Sequence, residues 1–373
     1  MNVTSLSLRN YRNYEQVELT TDARVNVMVG QNAQGKTNLL EAIYMLALTK
    51  SHRTSKDREL IRWNEEHARL AASVTRKYGD ARLQLDVTTS GKKARINGLE
   101  QRKLSEYVGT LNVVLFAPED LEIVKGSPGV RRRFLDMEIA QVHPSYLHSL
   151  SQYQKTLLQR NNFLKSGQAM KASNEPLLSV WNEQLAAYGS KIMQRRQSFI
   201  SKLQGWAETI HRGITGDAER LEIFYMPSVE AEDMKDETVL FDRFMVKLSQ
   251  VKEQEFRRGA TLVGPHRDDL VFRINGKDAY SFGSQGQQRT TALSLKLAEI
   301  ELIHQETGEY PVLLLDDVLS ELDRHRQTQL IDTFRSKVQT FITTTGVEGI
   351  RLESLGDVRL FHVQEGTVDQ DIN

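Results

Sequence analysis

Apolar residues recur at two spacings along this chain, and the changes of spacing mark where its architecture changes. Residues 3–8 read as a strand, and a second strand is expected near Val17 to Leu19. Arg24-Val25-Asn26-Val27-Met28-Val29 alternates with period two, whereas Asn38 to Leu48 repeats apolar residues at helical spacing through Leu39, Leu40, Ile43, Leu46 and Ala47. Residues 68–99 return to alternation (Leu70, Ala72, Val74; Leu83, Leu85, Val87), punctuated by Gly79-Asp80 and Ser90-Gly91. That is hairpin grammar and predicts an antiparallel β subdomain. Val113-Val114-Leu115-Phe116 is short and wholly apolar, as a buried strand requires.

Around Arg131 a helix begins, after the Gly126-Ser127-Pro128 turn. From Pro144 the helical spacing dominates. Residues 145–166 and 177–214 predict two long helices joined through Ser166-Gly167 and Ser173-Asn174-Glu175-Pro176, an antiparallel αα-hairpin. An acidic stretch at about 226–240 predicts a surface loop, and another helix covers about 241–257. Strand-and-turn patterning resumes at Thr261-Leu262-Val263 and at Leu270 to Ile274, with a turn at Asn275-Gly276. There follow an amphipathic helix from Thr290 to about His304, an apolar strand Val312 to Leu315, a helix from Ser320 and a strand from Val338 to Thr345.

Charge and composition narrow the chemistry. Lys+Arg and Asp+Glu both number 49 among 373 residues, so any surface for nucleic acid must be a local basic patch. With no cysteine, disulfides, iron–sulfur clusters, zinc–cysteine sites and thiol chemistry are excluded. No run of 18 apolar residues appears, and Met1 to Leu6 lacks the apolar core of a signal peptide, so a soluble, cytoplasmic protein with no membrane partner is expected.

Between the strand at 24–29 and the helix at 38–48 stands Gly30-Gln31-Asn32-Ala33-Gln34-Gly35-Lys36-Thr37, the G-x-x-x-x-G-K-[ST] phosphate loop. Its glycines permit the tight turn that aims backbone N–H groups at phosphates. Lys36 supplies charge to the β- and γ-phosphates, and the Thr37 hydroxyl is a ligand for Mg²⁺. The cofactors expected are ATP and Mg²⁺. Asp316, ending the apolar strand, has the form of the acid that holds Mg²⁺ through water, and adjacent Asp317 is placed to orient or deprotonate the attacking water. Lys36, Asp316 and Asp317 are thus the candidate catalytic residues, and Thr37 and Asp316 the metal ligands. Ser284-Gln285-Gly286-Gln287 opens a helix with a hydroxyl and glycine amides, a second anion site; an ordinary N-cap by Ser284 is the plainer reading. Because one triphosphate cradle already exists, this second one suits the ATP of a neighbouring molecule. Arg12, ahead of the loop, is a candidate nucleotide contact. Arg53 and Lys56, in the basic loop 50–56, together with Arg131 and Arg132, are candidates for DNA; solvated side chains are the alternative in each case.

These motifs, in this order, resemble an ABC-type ATPase head of the structural-maintenance-of-chromosomes (SMC) class. The strings Phe116-Ala117-Pro118-Glu119-Asp120-Leu121, Arg131-Arg132-Arg133-Phe134-Leu135-Asp136, Gly264-Pro265-His266-Arg267-Asp268-Asp269 and Gly283 to Thr290 narrow the resemblance to the RecF family of recombination-repair proteins, over about residues 3–365. The resemblance implies an α/β fold: a mixed sheet around the phosphate loop plus an antiparallel β subdomain, with an inserted helical arm. Residues 1–133 and 258–373 would form the ATPase domain and 134–257 the arm. It further implies an ATP-closed homodimer on single-stranded, gapped or duplex DNA, acting in replication-linked repair and the SOS response with RecO and RecR to load RecA. Each ATP would lie between Lys36, Thr37 and Asp316 of one copy and Ser284, Gly286 and Gln287 of the other.

Several departures from the wider pattern predict slow hydrolysis, with ATP acting as a switch. Asp317 replaces the usual Glu, Glu119 and Asp120 stand where a glutamine is expected, and Thr343-Thr344-Thr345 occupies the place of a switch histidine. The ATPase subunit of a membrane transporter shares the nucleotide motifs and is the alternative reading.

Overall fold

The computed structural model describes residues 1–167, 174–321, 326–327, 330–331, 337–346 and 356–370. Two compact units form, one from Met1–Leu121 with Ala292–Asn373 and one from Glu122–Thr291. In chain order the first opens with β1 (Asn2–Tyr11), β2 (Tyr14–Thr20), β3 (Val25–Val29) and α1 (Lys36–Leu48). It continues through β4 (His67–Thr75), β5 (Ala81–Thr88), β6 (Gly91–Ile96), β7 (Leu99–Glu100), α2 (Leu104–Tyr107) and β8 (Val113–Phe116). After α3 (Leu121–Lys125), the second unit holds α4 (Pro128–Val142), α5 (Pro144–Lys165), α6 (Glu175–Thr215), β9 (Leu221–Met226), α7 (Glu237–Arg258), β10 (Asp269–Ile274), β11 (Lys277–Asp278) and α8 (Ala279–Phe282). Helix α9 (Gln285–Thr307) begins in the second unit and continues into the first, which β12 (Val312–Asp316), α10 (Val318–Glu321), β13 (Thr340–Thr344), β14 (Val358–Gln364) and β15 (Thr367–Gln370) complete.

Two sheets make the first unit. The core sheet runs β15-β14-β3-β13-β12-β8, parallel from β14 to β8, with β15 antiparallel at one edge. Its central strands are buried on both faces, which explains their unalternating sequences: every residue of β8, β12 and β13 is buried. The second sheet is antiparallel in the order β2-β1-β4-β5-β6-β7, and β5 alternates buried with less buried positions, as one covered face demands. Helix α1 packs against β12 and β13 and also against β4 and β5. Covered by both sheets, it is apolar nearly all round, and Glu41 within it is fully buried.

In the second unit α6 spans 41 residues, about 60 Å at 1.5 Å per residue, and packs against α5, α7 and β9. Helices α5 and α6 are those expected from the 145–166 and 177–214 patterns; of their connector, residues 168–173 lie outside the described residues. The acidic loop ends earlier than its composition suggests, because the Asp236 carboxylate accepts the Thr238 and Val239 N–H groups and starts α7 at Glu237.

The Thr261 segment, expected as a strand, is instead an irregular knot. Asp268, almost wholly buried, accepts the Tyr225 hydroxyl and the Ser228 N–H, and Arg196 donates to the Pro265 carbonyl and to Asp136. Arg160 bonds Glu255 at 2.6 Å, Thr261 at 2.7 Å and Asn182 at 2.8 Å. So many side-chain partners satisfy the backbone and buried charges that no sheet ladder is needed there. Helix α10 starts at Val318 rather than Ser320, while Leu322 and Asp323 of the expected helix lie outside the described residues.

Candidate nucleotide site

Strand β3 delivers the phosphate loop and α1 carries it away. Gly30 sits against the core sheet: its N–H donates to the Thr344 carbonyl, and a Cβ there would lie 2.3 Å from the Val363 carbonyl oxygen. Gly35 has φ 121, and the space a Cβ would take is filled by Asn13 and Tyr14, so the position needs glycine on both counts. Around the loop, Asn13 donates to the Gln34 carbonyl at 2.9 Å, Tyr14 to the Gly35 carbonyl at 3.0 Å, and Asn38 to Asn13 at 2.8 Å. The backbone N–H of Glu365 bonds the Gln34 side chain at 2.7 Å. Gln31, Asn32 and Ala33 remain exposed, leaving the open side of the cradle to solvent.

Lys36 is buried at the base of the cradle and donates to the Gly30 and Gln31 carbonyls at 2.8 and 2.9 Å. Burial lowers its pKa, against the opposing pull of Asp317 and Asp316. The adjacent Thr37 hydroxyl donates to Asp316 Oδ1 at 2.9 Å, and the same oxygen accepts the Thr343 hydroxyl at 2.7 Å. Register explains this meeting: Asp316 of β12 pairs directly with Thr343 of β13. Asp317 follows with φ 52, its N–H bonded to Thr343 Oγ1 at 2.9 Å. Burial raises the Asp317 pKa, Asp316 adds to the rise and Lys36 opposes it. The structure therefore brings Gly30 to Thr37, Asp316 and Asp317 into one cluster, and Thr343 joins them.

The residues present fit a nucleotide and its cation. A cradle of backbone amides at a helix N-terminus suits phosphate, and a hydroxyl paired with a carboxylate offers the few hard oxygen ligands that Mg²⁺ takes from protein. Asp120, placed where a glutamine is expected, instead caps its own turn by accepting the Ala117 N–H at 2.8 Å, while Glu119 is exposed.

Arg12, the candidate nucleotide contact, is anchored to α1. Its Nε and Nη2 clamp Glu41 at 2.8 and 2.6 Å and its Nη1 donates to the Glu59 carbonyl, which commits three of its five N–H donors within the protein. Glu41 also accepts the Tyr11 and Ser51 hydroxyls at 2.9 and 2.5 Å, tying β1 and the 50–56 loop to α1. An acid inside an apolar helical pattern is the one sequence signal that points to this hub. Arg53 donates to Asn38 at 2.8 Å and stays partly exposed; Lys56 is exposed beside Glu59. Arg131 corrects the DNA expectation. It is buried, its guanidinium is bidentate to Asp269 at 2.6 and 2.9 Å, and it donates to the Gly126 carbonyl. Arg132 is half-buried and donates to the Asp268 carbonyl at 2.7 Å.

Ser284, Gly286 and Gln287 belong to the second unit, at the start of α9. Ser284 and Gln287 form a reciprocal cap: the Gln287 N–H donates to Ser284 Oγ at 3.2 Å and the Ser284 N–H to Gln287 Oε1 at 2.9 Å. Ser284 is exposed and its own hydroxyl proton points to no protein acceptor among the described residues.

Comparison with known proteins agrees with this assembly of motifs. Residues 2–367 match the family described as RecF/RecN/SMC N terminal domain. A DNA replication and repair protein RecF from Bacillus cereus (strain G9842) is 55% identical over 373 residues, all of both chains. A solved structure of the recombination mediator protein RecF with ATP, in the RecFOR pathway, is 35% identical, with a TM-score of 0.92 over 100% of this chain and 98% of that one. An Smc head domain with an extended coiled coil from Pyrococcus furiosus, solved with the C-terminal domain of ScpA, is 15% identical, with a TM-score of 0.55 over 99% and 96% of the chains; it speaks for the fold alone. The fold is that of an ABC-type ATPase head, and the chain belongs to the RecF branch of the RecF/RecN/SMC family.

Proposed function

We propose that this protein is an ATP-dependent DNA-binding protein of replication-linked recombinational repair and the SOS response, closing as a homodimer on single-stranded, gapped or duplex DNA. The observation that carries the reading is the single cluster of Lys36, Thr37, Asp316 and Asp317 around the phosphate loop. Loop amides and Lys36 would bind the β- and γ-phosphates, and Thr37 and Asp316 would hold Mg²⁺, which would supply charge to neutralise the phosphates. Asp317, its pKa raised by burial, is suited to orient and accept a proton from the attacking water. One methylene shorter than the usual glutamate, it makes hydrolysis slow, so that nucleotide occupancy serves as a timing switch. Ser284 and Gly286 of a second copy complete the site.

The match to a RecF of the RecFOR pathway supports RecO and RecR as partners, with loading of RecA as the outcome. Residues 134–257 act as the arm, and Arg53, Lys56 and Arg132 remain the basic candidates for DNA. No helix among the described residues is long and apolar enough to cross a membrane, and the relatives are repair proteins and Smc heads rather than transporter subunits. A cytoplasmic site of action follows from the proposed work on DNA.

The test is a gel shift on gapped, single-stranded and duplex DNA, with and without ATP, alongside Lys36→Ala. ATP should tighten binding by the parent and leave the variant unaffected. Equal DNA binding by both proteins in ATP would refute the switch.

A further inference from the structure

Gln287 is held from behind. Its carboxamide oxygen is taken by the Ser284 N–H at 2.9 Å, and its Nε2 donates to Glu219 Oε1 at 2.8 Å. The second oxygen of Glu219 lies 3.1 Å from Nε2 of His211, a fully buried side chain in the last turns of α6. Glu219 is itself fixed between that helix end and β9. Gly216 caps α6 with φ 59, and the neighbouring Arg220 exchanges backbone bonds with Asn275, its N–H to the Asn275 side chain at 2.8 Å and its carbonyl to the Asn275 N–H at 2.9 Å. All of these residues lie within one compact unit.

We propose that Glu219 is a positioning residue for the trans half of the nucleotide site: through Gln287 it sets the signature turn, and with it the Ser284 hydroxyl that meets the γ-phosphate of a second copy. Gln287 is held at both ends of its amide, through its oxygen and one of its two N–H groups, so its orientation is fixed within the protein. It transmits to Ser284 the position of the foot of the 41-residue helix. Both hydrogen bonds to Glu219 are charge-assisted, stronger than neutral ones, and burial keeps His211 neutral, so its Nε2–H can serve as the donor. This inference rests on the ATP-closed dimer proposed above.

The experiment measures two quantities on the full chain: ATP affinity at low protein concentration, where the phosphate loop acts alone, and ATP-driven dimerisation by sedimentation. Glu219→Ala should keep the first and weaken the second on the order of tenfold, within the range of ordinary site-to-site coupling. Glu219→Gln retains one oxygen acceptor where Glu219 offers two, and should restore the dimerisation only in part. Gln287→Ala should match Glu219→Ala, and the double variant should be no worse than either, the sign of one shared path. Parental dimerisation by Glu219→Ala, additive losses in the double variant, or an equal loss of single-copy ATP affinity would each overturn the positioning role. Lys36→Ala separates the two readings. If the parent itself fails to dimerise with ATP, the dimer falls and Glu219 with it. If the parent dimerises, Lys36→Ala does not, and Glu219→Ala behaves as parent, only the role of Glu219 falls.

Discussion

Thr37 and Asp316, 279 positions apart, share a hydrogen bond of 2.9 Å, so the hydroxyl of the phosphate loop and the acid of β12 are already in contact. Thr37 and Asp316 are the residues that would hold a cation here, and it would supply positive charge beside the phosphates. Asp316→Asn keeps the shape and removes the charge. The Mg²⁺ concentration needed for half-maximal ATP binding should rise roughly 10- to 100-fold, the usual cost of losing an outer-shell carboxylate. An unchanged Mg²⁺ requirement would remove Asp316 from the metal site.

Asp317 offers a cleaner separation of binding from chemistry. Its φ of 52 is one that asparagine tolerates, so Asp317→Asn should fold without strain. ATP binding should survive, while phosphate release falls about 10²- to 10⁴-fold, the range for a lost general base. If the proposed ATP-closed dimer forms on DNA, its lifetime should lengthen in consequence. Phosphate release at the parental rate would mean that another group activates the water.

Two glycines should respond in opposite directions to the same change. A methyl at Gly30 meets the Val363 carbonyl at 2.3 Å, and neither backbone can yield without shifting β3 or β14. Gly30→Ala should cost about 1–3 kcal/mol and lose ATP affinity. Exposed Gly205, within α6, has nothing within 4 Å of its missing Cβ, so Gly205→Ala should stabilise by about 1 kcal/mol. Denaturant titration of both variants, with ATP binding by the first, checks the pair.

His266 predicts an acid limb to stability. Burial, aided by Arg267, Arg132 and Arg160, lowers its pKa to about 4, against the opposing bond to the Thr261 carbonyl. Tyr153 Oη lies 2.7 Å from its Nδ1 and the Thr261 carbonyl 3.1 Å from its Nε2, an arrangement that suits the neutral ring. The unfolded chain, with an ordinary value of 6.5, binds the proton more tightly than the folded one. Stability from this group is therefore complete above pH 6.5 and is lost as pH falls toward 4, by up to about 3 kcal/mol. His266→Gln should flatten that part of the stability–pH curve; an unaltered slope would place the loss elsewhere.

Local signals make the nucleotide cluster legible. Gly30 to Thr37 is contiguous, its glycines and lysine each have one chemical use, and the flanking periods of 2 and 3.6 mark the strand and the helix. Asp316 is readable because four apolar residues before an acid describe a buried strand ending at a site. Thr343 shows in sequence only as a missing histidine, since its bond to Asp316 depends on the register of β12 against β13. Arg131 and Arg12 are hard to read for a related reason. An arginine in sequence carries no mark of its partner, and Asp269 and Glu41, 138 and 29 positions away, claim them. Strands β9, β14 and β15 escape because their patterns are short and mixed, and pairing rather than propensity stabilises them.

The strand that presents the phosphate loop is flanked on both sides by late sequence, β13 on one edge and β14 on the other. Arg24, just before it, bonds Asp357, 333 positions downstream. During synthesis at about 5–20 residues per second, the loop is thus made roughly 15 to 65 s before its neighbours exist. An unfinished chain carries the motif without the walls that shape it. A chain that ends before β13 therefore presents the loop on a strand with neither of its neighbours.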